Sequence, residues 1–104
     1  MDFKALIADS AIADLKEIVE FVAADNPEAA SRLGEKLLAR TLSLGSLPER
    51  FPFHDRRRGI RKMPVSPFLI YYKFDEEASV VNILHFWHGA RRPTRTWRIT
   101  KIDS

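Results

Sequence analysis

The sequence predicts a two-layer α+β domain, with a helical hairpin packed on one antiparallel sheet. Hydrophobic residues recur every three to four positions over residues 11–45, and they alternate every second position over residues 59–87. Short polar turns separate these segments, so the predicted order is β-α-α-β-β-β. The chain has 104 residues. We predict a single domain over residues 1–104, of which 94–104 form a basic tail.

The first strand and the first helix are predicted from the N-terminal residues. The run from Phe3 to Ala8 is short and largely apolar, which is typical of a strand. Asp9 or Ser10 is expected to provide a side-chain N-cap for the helix, which ends near Ala24. The predicted buried stripe consists of Ile12, Leu15, Val19 and Val22. The charged residues Asp14, Lys16, Glu17 and Glu20 lie largely off this stripe.

The second helix is predicted to start at Asn26-Pro27-Glu28 and to run towards Ser46. Asparagine is a good N-cap, proline suits the first helical position, and glutamate favours the positive helix end. The predicted buried stripe consists of Ala30, Leu33, Leu37, Thr41 and Leu44. Gly34 falls in mid-helix, which we interpret as a close contact between the two helices.

Three strands follow with a period of two. They are predicted over Gly59–Val65, Phe68–Asp75 and Val80–Trp87, with turns at Ser66-Pro67 and at residues 75–78. Pro64 restricts the first of the three to a short or edge strand, because proline lacks an amide donor. The N-terminal strand is expected to pair antiparallel with an edge of this meander.

The charge is divided unevenly along the chain. The formal net charge is +3, with nine acids and six bases in residues 1–50 but five acids and eleven bases in residues 51–104. The second half is therefore a candidate surface for an anionic partner. The chain has no cysteine, which excludes disulfides and fits a reducing cytosol. No segment approaches the ~20 apolar residues of a membrane span, and no signal peptide is recognisable.

Common catalytic and cofactor motifs are missing from the sequence. His85 and His88 are three positions apart, so a regular strand would point them to opposite faces, and no carboxylate–histidine cluster accompanies them or His54. Phosphate-binding glycine loops and nucleophile motifs are absent. We therefore expect no metal and no cofactor.

The basic second half supplies the candidate binding residues. Asp55 cannot pair with all three adjacent arginines Arg56, Arg57 and Arg58, so this loop either faces solvent or binds an anionic partner. Trp97 either stacks on a ligand or pins the tail to the domain. The other candidates are Arg61, which is expected at the sheet surface, and His88, Arg91 and Arg92 at the end of the last strand.

Several segments together resemble one family. In chain order they are Ser10-Ala11-Ile12-Ala13-Asp14-Leu15-Lys16-Glu17-Ile18, Asn26-Pro27-Glu28-Ala29-Ala30, Leu47-Pro48, Gly59-Ile60-Arg61-Lys62, Pro67-Phe68-Leu69-Ile70-Tyr71-Tyr72, Val81-Asn82-Ile83-Leu84 and His88-Gly89-Ala90-Arg91. In this order and spacing, over about residues 3–93, the chain resembles the RelE/ParE superfamily of type II toxin–antitoxin toxins, and the ParE branch in particular. The β-α-α-β-β-β order is the order of this superfamily.

The resemblance implies one of three functions. ParE-like members inhibit DNA gyrase by binding it, whereas RelE-like members are ribosome-dependent mRNA endoribonucleases. The third alternative is a non-toxic module of the same fold that binds an antitoxin.

The positions of this chain favour gyrase inhibition. Leu69 stands where RelE-like enzymes have a sheet arginine, and Trp97 stands near their C-terminal tyrosine, although Arg91 matches their second arginine. No catalytic residue is assigned to a gyrase inhibitor. If the chain is a ribonuclease, the candidate catalytic residues are Arg91, His88, His85 and Arg61.

The resemblance also implies a partner. A cognate antitoxin would carry an acidic C-terminal segment, with a helix in an apolar groove and an extended part that adds a strand to the sheet. A toxin–antitoxin heterotetramer or a higher oligomer is expected, in the cytoplasm and away from membranes. Direct DNA binding by this chain is not expected, because the antitoxin usually carries the DNA-binding domain.

Overall fold

The computed structural model describes residues 2–89 of the chain. These residues form two α-helices and a five-stranded sheet. The elements are β1 (Lys4–Ile7), α1 (Asp9–Ala23), α2 (Pro27–Leu42), β2 (Phe53–Asp55), β3 (Ile60–Val65), β4 (Phe68–Asp75) and β5 (Val80–His88). Two short 3₁₀ turns, Ser43–Gly45 and Pro48–Arg50, connect α2 to β2. The predicted α+β class with a helical hairpin on a sheet is confirmed.

The sheet is mixed, so the expected all-antiparallel sheet is wrong. Its strand order is β1-β5-β4-β3-β2, and β1 pairs parallel with β5 while every other pair is antiparallel. The error has a simple cause, which is the unpredicted strand β2. This strand has three residues and no alternating pattern, and it adds one reversal of chain direction before β3. The extra reversal turns β5 parallel to β1.

The N-terminus of α1 also differs from the prediction. Ala8 occupies the N-cap position and no side chain caps the helix there, so neither Asp9 nor Ser10 is an N-cap. Ile12 is 52% exposed, whereas Ala11 is fully buried. The core-facing stripe is therefore Ala11, Leu15 and Ile18, which confirms Leu15 but has Ala11 in place of Ile12 and Ile18 in place of Val19. Alanine is small, which lets the start of the helix lie close to the sheet.

The predicted start and buried stripe of α2 are confirmed, whereas the helix ends at Leu42 and a 3₁₀ turn at Ser43–Gly45 follows it. Asn26 is the N-cap, and its side-chain oxygen accepts a hydrogen bond of 3.1 Å from the Ala29 amide. Ala30, Leu37, Thr41 and Leu44 are buried and Leu33 is partly buried, as the stripe predicted. A Cβ atom placed on Gly34 would lie 3.5 Å from the Val19 side chain, so Gly34 is indeed a contact between the helices.

Two glycines are required by the fold, one for a close approach of two backbone segments and one for a left-handed turn. A Cβ atom on Gly45 would lie 2.7 Å from the Phe3 carbonyl oxygen, because the Phe3 amide donates to the Gly45 carbonyl at close range. Gly59 has a φ of +71°, in the left-handed region, at the turn between β2 and β3. The main core lies between the helices and the inner face of the sheet. It includes Met63, Ile70, Tyr72, Ile83 and Phe86.

Candidate functional site

Three adjacent arginines form the turn between β2 and β3, which we call the arginine loop (Arg56, Arg57 and Arg58). Arg58 pairs with Asp55, with 3.3 Å between its guanidinium and the carboxylate. The guanidinium of Arg56 lies over the Phe53 ring, 4.6 Å from its centroid. Arg57 is exposed. As the sequence indicated, Asp55 cannot neutralise the whole loop, which leaves a cationic surface at this edge of the sheet.

Arg61 lies in a different environment from the arginine loop. Its guanidinium stacks on Phe53, 3.9 Å from the ring centroid. It also donates hydrogen bonds to the carbonyl oxygens of Glu49 and Phe51, at 3.0 and 2.7 Å. Arg61 therefore fastens the 3₁₀ turn at Pro48–Arg50 and the start of β2 to β3, and its Nη1 group donates to backbone carbonyls inside the protein.

The outer face of the sheet, opposite the helices, has an apolar centre. Ile60, Tyr71 and Leu84 are buried there, with Leu69 and Trp87 packed against them. His54 contacts the Tyr71 ring edge-on, with 4.7 Å between the ring centroids. Burial raises the pKa of the Tyr71 phenol above its usual value of 10. Lys62 is the cross-strand partner of Tyr71, so it shares this face.

His85 is turned towards α1. A shift in the β4–β5 register between Tyr71 and Tyr72 interrupts the regular alternation at this point, which the sequence did not reveal. The His85 ring is fully buried, and its Nδ1 donates to the Asp14 carboxylate at 2.5 Å. His88 lies at the end of β5, where its ring contacts Phe68 edge-on.

The role of Asp14 was not predicted from the sequence. β1 ends at Ile7, opposite Ile83, so the second half of β5 is paired with β4 on one side but has no strand on the side of β1. There the α1 side chains replace a strand: Ser10 Oγ donates to the Leu84 carbonyl at 2.8 Å, and Asp14 accepts from the Phe86 amide at 3.2 Å. Asp14 was expected to lie off the buried face, but its side chain is only 11% exposed. We call Ser10, Asp14 and His85 the α1–β5 junction.

An apolar groove of about 680 Å³ opens beside the helices. One wall comes from α1 and another from α2, and Pro67, Phe68 and His88 close the end near the sheet. The helix residues that line it are Glu17, Ile18, Phe21, Val22, Ala29 and Leu33. Phe21 is 79% exposed, although a phenylalanine is usually buried. Such a groove is suited to an apolar segment.

Two further observations concern metal clusters and membrane-spanning helices among the described residues. Within residues 2–89, no group of three or more histidine, aspartate or glutamate side chains could hold a metal ion. Among the same residues, no helix is long and apolar enough to cross a membrane. The candidates Arg91, Arg92 and Trp97 lie outside the described residues.

The sequence profile described as "ParE toxin of type II toxin-antitoxin system, parDE" matches residues 5–93. This match covers most of the chain. The chain belongs to the ParE toxin family. No curated protein sequence matches it. The chain is thus a type II toxin–antitoxin toxin of the ParE/RelE fold, as the resemblance implied.

Solved structures agree with this family assignment. The fold is similar to a chain of the chromosomal ParDE system from P. aeruginosa, with a TM-score of 0.72 and 17% identity, covering 83% of this chain and 95% of that one. It is also similar to a chain of the RelBE2 toxin–antitoxin complex from Mycobacterium tuberculosis, with a TM-score of 0.67 and 19% identity, covering 88% and 95%. At these identities the structures establish the fold alone.

Proposed function

We propose that this toxin inhibits DNA gyrase by binding it, and that a cognate antitoxin neutralises it in the cytoplasm. The outer face of the sheet is the observation that carries the proposal. RNA cleavage by a 2′-hydroxyl requires groups that orient the hydroxyl, stabilise the phosphorane charge and protonate the leaving group. At the centre of the outer face the chain instead has Leu69, Ile60 and Leu84.

The possible acid–base residues also support binding over catalysis. His85 is fully buried and its Nδ1 is bonded to Asp14, so its ring is not accessible to a phosphate from solvent. The Tyr72 phenol donates to the Pro48 carbonyl at 2.5 Å, and burial raises its pKa to about 12. Arg61 is already bonded to two carbonyls. Of the candidate catalytic residues, this leaves His88 and Arg91.

The antitoxin part of the proposal rests on charge and on the solved relatives. Both similar structures are toxin–antitoxin complexes. The arginine loop gives an acidic antitoxin segment a cationic surface on the edge strand β2, where an extended segment could also add to the sheet. Attraction of this kind speeds association and weakens with salt. A salt-independent association rate would contradict it.

Gyrase supercoiling and cleavage-complex assays with the purified toxin test the proposed target. We expect inhibition by the wild-type chain and a loss of inhibition in Arg57→Ala and Arg91→Ala. Arg32→Ala, which removes an exposed arginine from α2, is the matched control and should inhibit normally. No effect of the wild-type toxin at concentrations well above that of gyrase would contradict the proposal.

Ribosome-dependent mRNA cleavage is the second candidate function, and one observation favours it. Lys62 and Lys73 both lie on the outer face, paired with Tyr71 and Asn82, and could bind an RNA backbone. Cleavage of mRNA at codon boundaries in cells that express the toxin would establish this alternative. Filamentation with intact mRNA would support gyrase inhibition instead.

A further inference from the structure

The ring of Phe53 carries the guanidinium groups of two arginines. That of Arg61 lies 3.9 Å from the ring centroid and that of Arg56 lies 4.6 Å from it. Arg61 is the cross-strand partner of Phe53 and is itself held by hydrogen bonds to the carbonyls of Glu49 and Phe51. The Arg56 guanidinium therefore rests on a ring that an anchored group keeps in place.

Arg56 combines a fixed orientation with available donors, which distinguishes it from the rest of the arginine loop. Arg58 is paired with Asp55. Among residues 2–89, neither a hydrogen bond nor an ion pair engages Arg56, and Arg57 lacks a stacking ring as well. A guanidinium that stacks on a ring keeps its edge exposed, and that edge presents parallel N–H donors that match the two oxygens of a carboxylate. Arg56 is therefore a preorganised fork for an anion.

The Arg56 fork lies on the helix side of the sheet. Arg61 and its cross-strand partner Tyr72 lie on that side, and so does Phe53, the partner of Arg61 on β2. Lys62, the next residue on β3, lies on the outer face instead. The fork and the outer-face lysines therefore do not form the continuous cationic path that a nucleic-acid backbone follows. An isolated fork suits a single carboxylate better.

The edge of the sheet next to the fork can accept an extended peptide. Within residues 2–89, β3 is the only strand beside β2. A strand added to the open edge would lie about 4.8 Å from β2, and Arg56 directly follows the last residue of β2. An acidic side chain on the added strand is therefore within reach of the fork. It would also reduce the repulsion between the two guanidiniums that share the Phe53 ring.

We propose that Arg56 is the carboxylate-binding residue of the arginine loop, that it receives an aspartate or glutamate side chain of an extended acidic segment added to β2, and that Phe53 and Arg61 are its positioning residues. This deepens the proposed function and rests on it for the source of the segment, which is the antitoxin. Arg57 contributes attraction during the approach, whereas Arg56 makes a directed contact that slows dissociation.

Titration of the full-length chain with two matched peptides tests the site directly. The probe is an acetylated hexapeptide of alternating valine and glutamate. Its control has glutamine in place of each glutamate, which keeps the shape and removes the charge. NMR of the arginine side-chain nitrogens follows the Arg56 signal, which the variant Arg56→Lys assigns. We expect this signal to shift to saturation with the glutamate peptide and to stay in place with the glutamine peptide.

Substitutions that keep the charge separate a fork from a simple cation. Arg56→Lys should bind the glutamate peptide several-fold more weakly than the wild type, whereas Arg57→Lys should bind it equally well. Phe53→Leu also keeps every charge and should weaken binding by a similar factor, whereas Phe53→Tyr retains the ring face and should restore it. Urea unfolding of each variant monitors stability. Because Arg56 is exposed, Arg56→Lys tests the fork even if Phe53→Leu does not fold.

Several results would overturn the proposal. An Arg56 signal that does not move, or that moves equally with the glutamine peptide, excludes a carboxylate site. An equal shift with the same concentration of a single-stranded oligothymidylate would assign the fork to nucleic acid. Equal weakening by Arg56→Lys and Arg57→Lys would leave only a charge effect, and full binding by Phe53→Leu would remove the positioning role. Neither gyrase nor antitoxin is present in these measurements, so their failure is distinguishable from failure of the proposed function.

Discussion

Two regions of the molecule use charged side chains in opposite ways. At the α1–β5 junction, Asp14 is nearly buried and satisfies both an amide and a histidine ring. In the arginine loop, Arg57 is exposed and Asp55 pairs with Arg58. The first arrangement completes a sheet edge that β1 leaves open, whereas the second leaves positive charge for a partner. A charged residue in this fold must therefore be judged by its burial and its partners.

The substitution with the largest expected effect lies in the buried stripe of α2 and tests the packing of this helix on the sheet. Leu37 is fully buried in the core stripe of α2. Leu37→Asp should abolish folding, because it removes apolar contacts and places a carboxylate where it has no water. Circular dichroism during thermal unfolding measures this, and an unchanged melting temperature would show that the assigned helix face is wrong.

The next test separates the α1–β5 junction from the exposed acids of the same helix. Asp14→Ala should lower the free energy of unfolding by about 3 kcal/mol, because the Phe86 amide and the His85 ring lose their acceptor. Glu20→Ala, at an exposed position, should change it by less than about 0.5 kcal/mol. Urea unfolding measures both, and equal values would remove the distinction between buried and exposed acids.

The buried Tyr72 phenol predicts how the stability of the fold depends on pH. Its phenol pKa is raised to about 12, mainly by burial, while an unfolded tyrosine titrates near 10. The neutral phenol is therefore favoured in the folded state. Its contribution is fully present below pH 10 and is lost as the pH rises towards 12, on the order of 2 kcal/mol. Alkaline unfolding of the wild type should be steeper in this window than that of Tyr72→Phe.

Arg61, which is half-buried and bonded to backbone carbonyls, and Arg57, which is exposed, compare two uses of arginine four positions apart. Arg61→Ala should destabilise the fold by about 2 kcal/mol, through the lost hydrogen bonds to the Glu49 and Phe51 carbonyls and the lost stacking on Phe53. Urea unfolding measures this loss. A neutral result would mean that water replaces these contacts without cost.

The smallest effect on stability is expected at the arginine loop. Arg57→Ala should change the free energy of unfolding by less than about 0.5 kcal/mol. It should nevertheless slow association with the antitoxin and flatten its salt dependence, as measured by stopped-flow at several salt concentrations. A loss of stability comparable to that of Arg61→Ala would place this residue with the structural arginines.

The sequence predicted α2 well and the α1–β5 junction not at all, and the reason is sequence distance. The cap at Asn26 and the stripe through Leu37 depend on residues within one or two helical turns. Asp14 and His85 are 71 positions apart, and their contact exists only because β1 stops at Ile7 and α1 continues along β5. Nothing in the local pattern around Asp14 distinguishes it from a solvent-exposed helix residue.

The candidate site shows the same division. The excess of basic residues in the second half was visible in the sequence. So was the fact that Asp55 cannot form ion pairs with all three arginines that follow it. The placement of Arg61 among the Glu49 and Phe51 carbonyls was not, because those carbonyls belong to a turn before β2, a strand that the pattern did not reveal. The family resemblance implied an apolar groove but not its location, since its walls come from two helices and the end of a strand.

The sequence by itself determined the type and order of the main elements, the basic second half and the membership of the ParE family. Periodicity and helix capping depend on residues a few positions apart, so they can be recognised without knowing which distant residues they contact. Only the tertiary structure decided that β1 runs parallel to β5, that Asp14 and His85 join helix to sheet, and that Arg61 bonds to the Glu49 and Phe51 carbonyls. These outcomes depend on the direction of each strand in the sheet and on the side chains and carbonyls that are distant in sequence but adjacent in the fold. The three-residue strand β2 was enough to reverse the direction of the strands that follow it.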